Sequence, residues 1–228
     1  MLKKIIIYYH VAGFGKWKSI FDEQSSLIRT SGLYDKCEEV RVGFLGQEGA
    51  LDPYVEDKFK IVYSSENIKE YEHPTINKLL SDAKKTNEDY YILYIHTKGC
   101  FPQTPSGIEG QYYWRQMMNY WMIKRHGDSI ASLNEGFSTC GINSMPRHNP
   151  NHYSGNFWWA NSNYIKKLNP IEAGLRTKAE FFVINQKEAK KHRHISLFGP
   201  YIPSIKNSGL YATKMLEKHY NYFNKNIF

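Results

Sequence analysis

Cysteine is scarce in this chain. Among 228 residues there are three, Cys37, Cys100 and Cys140, an odd number at wide spacing. No Cys-x-x-Cys pair or Cys/His ligand cluster occurs, so neither a disulfide framework nor a structural zinc is indicated, and a reducing compartment fits. Long apolar runs are lacking too. Nothing approaches the roughly 20 apolar residues of a membrane span. The run after the basic start Met1 to Lys4 holds only five to six residues, short of a signal-peptide core of roughly 7–15. The expectation is a cytoplasmic protein. No Gly/Ser- or Pro-rich linker, repeat or low-complexity tract divides the chain, which argues for one domain. Walker, GxSxG and HExxH motifs are also missing, and the glycines of His10-Val11-Ala12-Gly13-Phe14-Gly15 lack the spacing of a dinucleotide fingerprint.

Aromatic residues are plentiful at 15%, with 18 Tyr and 12 Phe, and the formal net charge is +8. Rings supply a core and leave faces for ligand stacking. A basic surface suits phosphates, nucleic acid or an anionic membrane. The lysines are scattered and form no stripe or known recognition motif, so nucleic acid is not an expected partner.

Strand-length apolar runs organise the first hundred residues. Tyr90 to Ile95 is nearly continuous and reads as a strand buried on both faces, the signature of a parallel sheet. Its end delivers His96, Thr97 and Lys98 to the sheet edge, and Gly99 lets the backbone turn away. Lys4 to Tyr9 reads as the first, central strand, followed by a glycine-bearing loop and a helix from Trp17 to Thr30, a nucleotide-site layout. Gly32 is placed to end that helix. Glu39 to Leu45 and Lys60 to Ser64 are further strands, and Glu66 to Lys85 is mostly helical, with His73-Pro74-Thr75 opening its second part. This β-α-β-β-α-β order predicts an α/β fold with a mainly parallel sheet flanked by helices.

The second half is less regular. Cys100 to Gly110 reads as a lid-like loop, Gln111 to Arg125 as a helix, Phe137 to Asn143 as a strand and Asn156 to Ala160 as a short aromatic strand. Arg176 to Val183 reads as a helix start, Lys187 to His194 as basic and helical, and Tyr211 to Phe228 as a tail helix. The tail either packs on the sheet, the favoured reading, or docks peripherally on a membrane.

In open α/β sheets ligands bind beyond the carboxyl ends of the strands. The strand ends His10 and His96-Thr97-Lys98, with Gly13 close by, are therefore the candidate floor for a site that holds an anion, with Lys98 offering a positive charge to a diphosphate. Trp114-Arg115 opens the next helix, and Arg115 is a candidate phosphate ligand. Asn143 ends a strand. In His152-Tyr153-Ser154-Gly155-Asn156-Phe157-Trp158-Trp159, adjacent tryptophans alternate faces if extended, so at most one faces the core. Their rings suit sugar stacking, and His152, Tyr153, Ser154 and Asn156 suit hydroxyls. Arg176 and Glu180 are spaced i,i+4. They are either a helical pair, or a phosphate ligand with a general base.

Taken together, Tyr8-Tyr9-His10, Gly32 to Lys36, Tyr94 to Gly99, Trp114-Arg115, Gly141-Ile142-Asn143, His152 to Ala160 and Arg176 to Phe181 resemble the small GT-A-type glycosyltransferase-like domains of bacterial polysaccharide loci and large DNA viruses. The His96-Thr97-Lys98-Gly99 and His152 to Ala160 blocks carry that resemblance. It implies a nucleotide-sugar donor and a glycan or glycolipid acceptor. Residues 1–100 would form the nucleotide-sugar half and 101–185 the acceptor side, with 186–228 a helical tail. It also implies Glu180 as the base that deprotonates the acceptor, with His152 competing, in inverting transfer. Enzymes of that fold hold Mn²⁺ or Mg²⁺ on an Asp-x-Asp motif. Here His96-Thr97-Lys98 stands in that place, so no metal ligand is assigned and Lys98, Arg115 and Arg176 would neutralise the diphosphate. The alternative is a non-catalytic carbohydrate-binding module on the same fold.

Overall fold

The computed structural model describes residues 3–101, 105–142 and 151–197. Its framework is one sheet of seven strands in the order β3-β2-β1-β4-β6-β5-β7. These are β1 (Lys4–Ala12), β2 (Glu39–Leu45), β3 (Phe59–Ser65), β4 (Tyr90–His96), β5 (Thr139–Gly141), β6 (Trp158–Asn161) and β7 (His194–Ser196). Four of the six pairings are parallel, and β6 runs antiparallel to both of its neighbours. The chain is an α/β domain with a mainly parallel sheet, as expected.

The central strands are buried on both faces, which is why they read as unbroken apolar runs rather than alternations. On one face, Ile7, Tyr9, Val11, Leu93 and Ile95 pack against α1 (Trp17–Thr30), α4 (Pro105–Asn119) and α5 (His126–Asn134). On the other, Ile6, Tyr8, Ile92 and Tyr94 pack against α3 (His73–Lys84), α6 (Ser162–Ile165) and α7 (Lys178–Phe181). Helix α1 buries Trp17, Ile20, Phe21, Gln24 and Ile28, one stripe at helical spacing. It stops at Ser31, and Gly32 then adopts φ 73°, the left-handed value that favours glycine. A four-residue helix, α2 (Leu33–Lys36), follows. Pro74 sits in the first turn of α3, where its missing N–H is no loss.

Three segments differ from the sequence expectation. The stretch expected to be a lid is helical from Pro105, because α4 begins there; residues 102–104 lie outside the described part. Five residues of π-helix, Tyr120–Lys124, join α4 to α5. Lys187 to His194 holds only a 3₁₀ turn, Ala189–Lys191, before β7, whose three residues extend the sheet beside β5. The expected tail helix lies outside the described residues.

Candidate functional site

Strands β1 and β4 lie side by side, parallel, with His10 opposite His96. Strand β1 leads through α1 on one face of the sheet, while β4 is reached through α3 on the other. From β1 the chain moves outward to β2 and β3 and then returns to β4 on the other side of β1, and this reversal of strand order marks the usual ligand position of open α/β sheets, beyond the carboxyl ends of the strands. A cavity of about 400 Å³ occupies that place. His10, Glu72, His96 and Thr97 form its floor, Phe14, Phe101 and Gln111 wall it, and Lys69, Lys98 and Arg176 bring positive charge to it.

Glu72 is the best-held group on the floor. The residue directly precedes α3, whose N-terminal dipole favours a negative charge. One carboxylate oxygen, Oε2, accepts from the Tyr94 hydroxyl and the Asn156 amide, each at 2.7 Å. Asn156 is oriented in turn by the Trp158 indole, which donates to its Oδ1 at 3.0 Å. The other oxygen, Oε1, stands 3.9 Å from His96 Nδ1. Burial alone would raise the Glu72 pKa. His96, His10, the Tyr94 hydroxyl and Lys98 outweigh it and hold the carboxyl at about 2. It is therefore a fixed anion at neutral pH.

Both histidines are neutral at pH 7, and the charge by which they lower Glu72 develops only on acidification. His96 Nε2 lies 2.9 Å from the Gly155 carbonyl, which can only accept, so Nε2 carries the proton and Nδ1 faces Glu72 bare. Burial lowers the His96 pKa, against the pull of Glu72. His10 Nδ1 is 2.8 Å from Thr75 Oγ1, leaving Nε2 for a ligand, and burial brings this ring down to about 4. Two residues beside this assembly hold left-handed backbone without being glycine: Tyr71 at φ 54° and Asn156 at φ 58°. Such strain persists only where the surroundings over-determine it, and it gathers at functional sites.

The β4 end is braced from α1 and α4. Thr97 N donates to the His10 carbonyl at 3.1 Å, and the Ala12 N–H donates to Thr97 Oγ1 at 2.9 Å. The Lys98 carbonyl accepts from Arg115 Nη1 at 2.9 Å. Arg115 Nε and Nη2 grip the two oxygens of Glu23 at 3.0 Å each, and Asn119 donates to the same carboxylate. Gln24 ties Asn119 to the Tyr9 hydroxyl.

Residues 10–202 match the family described as "Domain of unknown function (DUF8361)". The chain belongs to that family. The match begins at His10 and runs past Arg176, so it takes in every residue of the cavity. No curated protein matches the chain.

Several expected site residues of this DUF8361 domain stand elsewhere. Arg115 is buried in its pair with Glu23 and does not line the cavity, so its fork is already filled. Trp158 and Trp159 are both fully buried, one in each core layer, because helices cover both faces of β6; neither ring is open to a sugar. Tyr153 is buried as well, its hydroxyl bonded to Thr139 and the Ile195 carbonyl. Asn156 orients Glu72 from beneath the floor instead of facing an acceptor. Ser154 sits in the turn before Gly155, away from the cavity. Gly13 is also outside the lining; a Cβ there would lie 2.6 Å from the Phe44 ring, so glycine permits the approach of the strand ends. Glu180 and His152 face each other at 4.0 Å, neither on the cavity wall. Asn143 lies outside the described residues.

His10, His96, Thr97, Lys98 and Arg176 are brought together as expected. Glu72, Lys69 and Gln111 were not singled out from sequence. An acid before His-Pro is an ordinary helix opening, and nothing local marks it as a partner of Tyr94. Gln111 carries a buried Oε1 with no hydrogen-bond partner among the described residues. Among those residues, no three His, Cys, Asp or Glu side chains are grouped to hold a metal ion.

Proposed function

We propose that this domain is a GT-A-like glycosyltransferase that moves a sugar from a nucleoside-diphosphate donor to a hydroxyl of a glycan or glycolipid. The observation that carries this reading is the cavity at the β1–β4 crevice, with an ionised carboxylate on its floor and Lys69, Lys98 and Arg176 around it. The cations suit a diphosphate, whose charge grows as it leaves. The exposed Phe101 ring, stacked on Phe14 with centroids 5.8 Å apart, offers a face to the base or the sugar.

In this mechanism the acceptor oxygen attacks the anomeric carbon. The bond from that carbon to the diphosphate breaks, and the diphosphate keeps the electron pair. Positive charge builds on the sugar, as in glycoside hydrolysis, and Glu72 stabilises it. The hydroxyl proton passes to Glu72 Oε1 late, once the new C–O bond has made that proton acidic. Glu72 thus takes the role first assigned to Glu180, because it is the carboxylate that lines the cavity.

A thermal-shift panel of nucleoside-diphosphate sugars, with and without Mn²⁺, tests the reading. A donor that binds the native state raises Tm by mass action. The expected result is a shift with at least one donor. Glu72→Gln should keep that shift and lose transfer. No shift with any donor, alongside saccharide binding, would replace the transferase by a carbohydrate-binding module.

A further inference from the structure

Among the described residues five large apolar side chains are exposed: Ile61, Ile68, Phe101, Tyr112 and Leu175. Two of them, Ile68 and Phe101, line the cavity, and Leu175 directly precedes its lining residue Arg176. These residues come from separate segments, so no single local pattern explains their meeting. Each of three is coupled in sequence to a cation of the same cavity: Ile68 to Lys69, Leu175 to Arg176, and Phe101, three residues on, to Lys98.

Residues that merely seal a ligand site turn inward. Here Ile68 is 45%, Phe101 47% and Leu175 75% exposed. The nearby acid Glu70 keeps its negative charge while accepting from the Tyr63 hydroxyl at 2.7 Å, but the three cations outnumber it. An apolar rim interleaved with Lys and Arg matches the boundary of an anionic bilayer: the side chains enter the acyl edge while the cations meet lipid phosphates. A charged protein groove would satisfy the cations and leave Leu175 in water.

We propose that the mouth of this cavity docks on an anionic phospholipid surface, so that the site opens directly onto the leaflet. The surface is distinct from the basic tail, and the inference stands whether or not the transferase reading does. If both hold, the acceptor is an amphiphile taken from the membrane plane.

Vesicle co-sedimentation of the full chain tests this without any donor. The probes are phosphatidylcholine vesicles, alone and with about a third phosphatidylglycerol. Three cations near the surface should strengthen partitioning on the anionic vesicles by roughly 100-fold at low salt, with most of the gain lost at about 0.5 M salt. The double variant Ile68→Ser/Leu175→Ser should retain the wild-type Tm and lose most binding at low salt. Wild-type protein that pellets equally with neutral and anionic vesicles overturns the proposal. So does a double variant that is folded and binds undiminished, because the tail or general charge would then be responsible. A donor thermal shift without vesicles is read separately, so failure of docking and failure of the transferase are distinguishable.

Discussion

His10 offers a quantitative check on the burial of the floor. Its ring is neutral in the fold, with a pKa near 4, against 6.5 ordinarily. The unfolded chain therefore binds a proton below pH 6.5 that the native chain refuses. Stability from this group is fully present above pH 6.5 and falls as the pH drops towards 4. The loss approaches about 1.4 kcal/mol per pH unit within that range. Carboxylates add their own losses mainly below about 4.5, so the window from pH 6.5 to 4.5 isolates the histidines. Across it His10 accounts for about 2 kcal/mol, a large part of the roughly 5–15 kcal/mol that holds a domain together. His96, His73, His126 and His194 are lowered too and steepen the wild-type slope in the same direction. The perturbation is His10→Asn, whose amide occupies the position of Nδ1 and can still meet Thr75. The assay is urea unfolding of both proteins at several pH values in the window. The variant should lose less stability on acidification, by about 2 kcal/mol over the two units. Parallel curves for wild type and variant would refute the argument, since His10 would then be exchanging protons freely in the fold.

Two further outcomes test the supports of the site. Arg115→Ala leaves the Glu23 carboxylate with Asn119 alone and takes the side-chain donor from the Lys98 carbonyl, and should cost about 2–4 kcal/mol in urea unfolding. Arg115→Lys should recover only part of this, because an ammonium cannot form the fork. Gly155→Ala puts a Cβ 2.3 Å from Met118 Sδ and 2.5 Å from Trp114 Nε1, at φ +88°. It should lower stability by about 2–4 kcal/mol, and a variant as stable as wild type would show that this turn can move.

The legible part of the fold was the part whose neighbours are implied by its own composition. Glu39 to Leu45 and Trp17 to Thr30 match the observed elements, because an apolar run and a 3.6-residue stripe each carry their own burial pattern. That His10 and His96 would meet at one edge was legible because strand ends of a parallel sheet share it. Trp158 and Trp159 were misread for the opposite reason. Whether one or both rings are buried depends on helices covering both faces of β6, and α6 and α7 are only four residues long. Glu72 was invisible because its meaning lies in Tyr94, His96 and Asn156, which are 22, 24 and 84 residues further along the chain.

The pairing of His10 with His96 also sets what can vary. The floor of the cavity is cut from the two strands at the centre of the sheet, whereas its rim comes from a 3₁₀ turn, the segment after Gly99 and the approach to α7. Opening the floor would mean breaking the sheet at its middle, so the histidines are as permanent as the fold. The rim is tied to the core only in part: Cys100 is buried there, whereas Ile68 and Phe101 stand exposed. Substitutions at Ile68 and Phe101 can therefore reshape the mouth of the cavity while its floor stays as it is.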